Sequence, residues 1–149
     1  IVFNIPGLGR LIISAILLMA FLSTLFVVWA RPGRTALAVA WLLLLATLLA
    51  NYFLPLDVLN RLPFAGKVAL ASAFLTSPVF FSGIVFSTSF ARVEGKSAAL
   101  GANLLGAIVG GMLESLSFVV GVRALLLVAG FFYLGAWARD RSRIGPPVV

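Results

Sequence analysis

The sequence predicts an all-α fold, a polytopic transmembrane bundle of about five helices. Three observations predict it. Of the 149 residues 62% are hydrophobic and only 10% charged, too little polar surface to wrap a water-soluble core. Apolar runs close to the ~20 residues that cross hydrocarbon recur along the chain. The basic residues gather in short clusters between and after those runs, as they do in loops at a membrane face.

The first apolar run, residues 11–30, stops at Arg31-Pro32-Gly33-Arg34, a turn that ends a helix and holds two charges at the interface. The run is too long for a signal-peptide core, and no small-x-small cleavage site follows it, so it reads as a retained span. The second span is residues 35–54, closed by Pro55. Residues 57–67 are the longest polar stretch, with Asp57, Asn60, Arg61 and Pro63, and read as a loop.

The third span, residues 68–90, contains Pro78 near its middle and Gly83 beyond it. A proline there removes one backbone hydrogen bond and crowds the preceding turn, so a kink is expected at Pro78. The hydroxyls of Thr76 and Ser77 are placed to satisfy the freed carbonyl. Arg92, Glu94 and Lys96 then put three charges into five residues. The fourth span is residues 97–120, followed by a tight turn at Gly121 and Arg123. The fifth, residues 124–138, is short at 15 residues. Two readings account for its length: it begins earlier than residue 124, or Arg123 snorkels outward with Tyr133 and Trp137 anchoring the other end. Residues 139–149 hold three Arg and two Pro and read as a tail, flexible or docked on a partner. The whole reads as one transmembrane domain, 1–149. Its start at Ile1 rather than Met is expected of a processed chain or a piece of a longer one.

Counting Lys and Arg by side gives seven on one face (Arg31, Arg34, Arg92, Lys96, Arg139, Arg141, Arg143) and four on the other (Arg10, Arg61, Lys67, Arg123). The positive-inside rule puts the seven in the cytoplasm, which expects a bacterial-type inner membrane protein with a cytoplasmic C-terminus. The net charge of +7 would suggest nucleic acid in a soluble protein, but no basic helix face with interleaved aromatics is present. Expected partners are the lipid bilayer and other membrane helices or subunits, not nucleic acid.

There is no Cys and no His. That excludes disulfides, thiolate chemistry, zinc clusters and histidine-ligated haem. Neither G-x-S-x-G nor a P-loop occurs, and Gly7-Leu8-Gly9 lacks the strand and third glycine of a dinucleotide fold. No cofactor, metal site or catalytic residue is predicted. Whether a larger protein containing this chain is an enzyme stays open.

The fourth span carries the most information. Ala99, Asn103, Gly106, Gly110 and Glu114 fall on one helical face, and Gly106 and Gly110 form a G-x-x-x-G pair. Small side chains let backbones approach, and van der Waals contact then drives association, because lipid offers no hydrophobic drive between helices. Such a face serves equally for packing within the chain's own bundle or against another subunit. Glu114 is the single acid well inside a span, and such residues normally face protein or a wet cavity. With Asn103, and with Asn51 at the end of the second span, it makes a candidate polar intramembrane site. The competing reading is structural: Glu114 reaches the interface, or pairs with Arg123 or Arg61. Ser82, Ser87, Thr88 and Ser89 in the third span either line a polar path or bond back to carbonyls of their own helix.

Across residues 78–134 several stretches stand out: Pro78-Val79-Phe80-Phe81-Ser82-Gly83-Ile84-Val85-Phe86, Leu100-Gly101-Ala102-Asn103-Leu104-Leu105-Gly106-Ala107, Gly110-Gly111-Met112-Leu113-Glu114 and Gly121-Val122-Arg123-Ala124-Leu125. This pattern resembles the membrane portion of bacterial multi-pass spermidine-synthase-like proteins, in which a helix bundle is fused to, or encoded beside, an aminopropyltransferase-like domain. The first two spans hardly share it. The resemblance implies a membrane module. The family's catalytic domain, a Rossmann-like fold for decarboxylated adenosylmethionine and a polyamine, has no counterpart in these residues, so no catalytic residue carries over. Two functional expectations follow. One is a non-catalytic membrane module that anchors or packs with partner helices. The other is a transporter or proton- or ion-conducting fragment using Glu114.

Overall fold

The computed structural model describes residues 8–53 and 64–143. Five α-helices follow one another: α1 Leu8–Ala30, α2 Arg34–Phe53, α3 Phe64–Arg92, α4 Lys96–Val120 and α5 Val122–Arg143. The all-helical class is therefore as the sequence predicts, with no strand among the described residues. The first four helices are long and apolar enough to cross a membrane; α5 is not among them. The expected fifth span is present as a helix, but its apolar stretch is bracketed by Arg123 and Arg139. Pro55, Asp57, Asn60, Arg61, Pro63 and residues 144–149 of the tail lie outside the described residues.

Several boundaries shift from the sequence reading, and three of them have a physical reason. Helix α3 begins at Phe64, so part of the stretch read as loop is its first turn. Polar residues such as Lys67 do not stop a helix; they mark where it leaves hydrocarbon. Helix α5 likewise runs past Ala138 through Arg139-Asp140-Arg141-Ser142-Arg143, where no Gly or Pro intervenes. The α4–α5 break is a single residue, Gly121, at φ 86°, a left-handed conformation that glycine adopts without penalty.

The α1–α2 turn is built differently. Arg31 takes φ 43° and its N–H donates to the Val27 carbonyl at 3.0 Å, capping α1 with a non-glycine residue. Gly33 then receives the Leu37 N–H at 3.0 Å and opens α2.

The chain divides into two compact units, Ile1–Arg92 and Val93–Val149. In the first, α3 is the central helix and packs extensively on both α1 and α2. Two contacts fix the direction of α1. Ser23 lies against Gly83, and Arg92 donates to the Pro32 carbonyl at 3.3 Å. Both pairs are offset by 60 residues, so α1 and α3 run parallel and in register. Helix α2 returns between them in sequence and runs antiparallel to α3, bringing Asn51 to Phe74. It buries one stripe, Leu37, Ala40, Trp41, Leu44 and Leu48, while α3 buries Ile84, Val85 and Thr88. The opposite faces expose large apolar side chains such as Phe21, Trp29 and Leu42, a surface suited to lipid rather than water.

The α1–α3 approach depends on size. Ser23 is fully buried, and its hydroxyl bonds back to the Ala20 carbonyl at 2.7 Å. A Cβ added at Gly83 would stand 2.8 Å from the Ser23 Cβ and closer still to its Oγ. We expect Gly83→Ala to destabilise the unit by about 1–3 kcal/mol, the cost of overpacking a well-filled contact. Thermal unfolding in detergent checks this, and Ser23→Gly in the same chain should restore most of the loss.

Candidate functional site

The chemistry-bearing residues of this chain are few, and the structure distributes them over two places. The first lies in the three-helix unit around Pro78. Proline has no N–H, so the carbonyl four residues earlier, that of Phe74, loses its helical donor. In hydrocarbon no water replaces it. Two side chains do: Ser77 Oγ donates to the Phe74 carbonyl at 2.7 Å, and Asn51 Nδ2 donates to it from α2 at 3.2 Å. Asn51 Nδ2 also bonds its own helix at the Thr47 carbonyl, 2.8 Å away. With both donations going to carbonyls, the amide orientation is fixed. Asn51 Oδ1 is buried and accepts no hydrogen bond among the described residues.

Of the two hydroxyls expected at the kink, Ser77 takes the role. Thr76 instead bonds back to Ser72 at 2.7 Å and is itself buried. Pro78 sits inside an unbroken helix, α3, whose freed carbonyl is capped from both sides. Asn51 therefore has a structural task, joining α2 to α3. Sequence reasoning grouped it with Glu114 and Asn103 because it is a lone amide in an apolar run. Only the fold reveals that its partner is the carbonyl released by Pro78.

The serine and threonine cluster divides. Ser82 bonds back to the Val79 carbonyl at 3.0 Å. Thr88 is buried and its Oγ1 has no partner among the described residues. Ser87 and Ser89 are half-buried.

The second place is α4, in the second unit, where α4 packs on α5. That pairing leaves residues 100–112 of α4 exposed, including Asn103, Gly106 and Gly110; Ala99 is half-buried. A Cβ added at Gly101, Gly106, Gly110 or Gly111 would meet no atom within 4 Å. Helix α5 thus does not fill the small-residue face. Glu114 is exposed on the same helix and has no hydrogen bond or ion pair among the described residues, with Arg123 or otherwise. Arg61, its other expected partner, lies outside them. Asn103 and Glu114 are eleven positions apart, about 16 Å along the axis at 1.5 Å per residue, and do not touch each other. Ser115 bonds back to the Gly111 carbonyl at 3.3 Å, and the Ser117 side chain lies outside the described residues.

No group of three His, Cys, Asp or Glu side chains converges among the described residues. No family model, curated protein or solved structure matches this chain.

The Pro78 node gives a coupled prediction. Asn51→Ala should cost about 0.6–1.7 kcal/mol, between the average and the largest values for hydrogen bonds between membrane helices. Pro78→Ala restores the N–H that Phe74 lacks, so the same Asn51→Ala change in that background should cost less. A double-mutant cycle of unfolding free energies in detergent reads the difference; strict additivity would mean that the two residues act independently.

Proposed function

We propose that this chain is a non-catalytic membrane module that packs against helices beyond its own α4–α5 pair, with α4 supplying the face. The observation that carries this reading is the α4 surface around Gly106 and Gly110. It is smooth, glycine-rich and unfilled by α5. Such faces associate by close backbone approach in lipid. The absence of converging acids, bases or nucleophiles among the described residues fits a packing role better than chemistry.

The four apolar helices make this a multi-pass membrane protein. A bacterial-type inner membrane with the C-terminus in the cytoplasm is the finer part of the proposal. It is supported by the excess of Lys and Arg in the 31–34, 92–96 and 139–143 segments. The bond from Arg92 to Pro32 agrees with that assignment, since it brings Arg92 to the end of the three-helix unit that carries Arg31 and Arg34. The resemblance of residues 78–134 to spermidine-synthase-like membrane regions suggests the companion, an aminopropyltransferase-like domain on the same or a neighbouring chain.

One observation favours a second reading. A carboxylate within an apolar helix is costly without a partner, and Glu114 has none among the described residues. In a proton- or ion-conducting fragment it would be the group that moves charge. Asn51 does not support that route, because its amide hydrogens are committed to Thr47 and Phe74.

Two substitutions separate these readings. Gly106→Ile adds bulk where no atom lies within 4 Å, so it should leave helix content and α4–α5 stability unchanged while abolishing co-purification with a partner helix or domain. Unchanged assembly would remove α4 from the interface. Glu114→Gln keeps shape and removes charge. The packing reading expects assembly to persist, whereas the conducting reading expects proton or cation flux in proteoliposomes to disappear.

A further inference from the structure

The hydrogen bond from Arg92 to the Pro32 carbonyl does more than close the α1–α2 turn on α3. It gathers Arg31, Arg34 and Arg92 at one end of the three-helix unit, and all three are exposed. We propose that this end is a binding site for one anionic phosphate group, of the kind carried by acidic phospholipid headgroups.

Charge supports it first. No acidic residue lies in the first turn of α2. The nearest acids in sequence are Glu94, in the second unit, and Asp57, beyond the far end of α2. Three arginines therefore converge here against one neighbouring acid, Glu94, two residues from Arg92, which forms no ion pair with them among the described residues.

Geometry supports it second. A guanidinium has five N–H donors in a planar fork that matches phosphate. One donor of Arg92 is held by Pro32, which orients the fork and leaves the remainder available. The left-handed backbone of Arg31 ends α1 in the turn that carries Pro32 and leads directly to Arg34, the first residue of α2. Open space lies beside Gly33, where an added Cβ meets nothing within 4 Å. The first-turn N–H groups of α2 face the same end and carry the positive pole of its dipole.

The position supports it third. The three arginines sit where two apolar spans end and a third begins, the depth at which lipid phosphates lie.

Purified full chain, delipidated in neutral detergent, is titrated with phosphatidylglycerol or phosphatidylcholine, and retained lipid is counted by native mass spectrometry. The expected result is one phosphatidylglycerol per chain, saturable, with no such retention of phosphatidylcholine. Arg31→Gln, Arg34→Gln and Arg92→Gln should each weaken retention by about fivefold, and the triple variant by more than about a hundredfold. Arg10→Gln, at the other end of α1, should leave it unchanged. Should Arg92→Gln lose helix content by circular dichroism, the Arg31 and Arg34 variants still decide, because neither side chain bonds another part of the structure among the described residues. Excess inorganic phosphate distinguishes the source of the anion: displacement of lipid assigns the site to soluble phosphate as well, and no displacement assigns it to the headgroup. Retention that is graded and non-saturating, or that survives in the triple variant, overturns the proposal.

Discussion

Hydrocarbon supplies no hydrogen bonds, and the three-helix unit is organised around that constraint. Every other interior backbone carbonyl of α3 can be satisfied by its own helix, but Pro78 leaves that of Phe74 without a donor. The local remedy is Ser77, one residue before the proline. The non-local remedy is Asn51, which belongs to a different helix and so fixes where α2 sits along α3. A defect in one helix thereby becomes a docking instruction for another. The buried stripe of α2 then follows α3 from Leu48 back to Leu37.

Glycine does three different jobs along the chain, and the setting decides which. At Gly83 the missing side chain is matched by Ser23, and there is no room for a Cβ. At Gly121 the backbone conformation is what counts, since φ 86° ends one helix and lets the next begin at once. At Gly106 and Gly110 the surface is simply smooth, with nothing seated on it by α5. Composition treats these residues alike, although only the first is part of a filled contact.

Much of the fold was legible because run length in lipid is a strong signal. Each helix was visible as an apolar stretch, and the breaks at Arg31-Pro32-Gly33 and Gly121 were visible as residues that interrupt helices. The ends at Phe64 and Arg143 were not, because a helix leaving the membrane continues through polar residues until something stops it. At the candidate sites, local chemistry could be read and tertiary chemistry could not. Ser77 was within reach of the orphaned carbonyl by sequence alone, whereas the Asn51 bond spans 23 residues. Ser23 gave no signal at all: one hydroxyl in an apolar run looks like any other until Gly83 is found opposite it. Glu114 was conspicuous by its charge, but its neighbours belong to packing that a single sequence does not encode locally.

The parallel pairing of α1 with α3 has a consequence for how the unit assembles. Helices adjacent in sequence usually zip as hairpins, with short loops and little closure entropy. Here the extensive contacts of α1 are with α3, and both contacts that set their register join residues 60 apart. During synthesis the first two helices can enter the bilayer as soon as they are made, yet α1 gains its main packing partner only once Gly83 and then Arg92 have emerged. The α1 packing of the first unit therefore waits on its third helix. A chain cut short before Gly83 would hold inserted helices without the contacts that set α1 against α3.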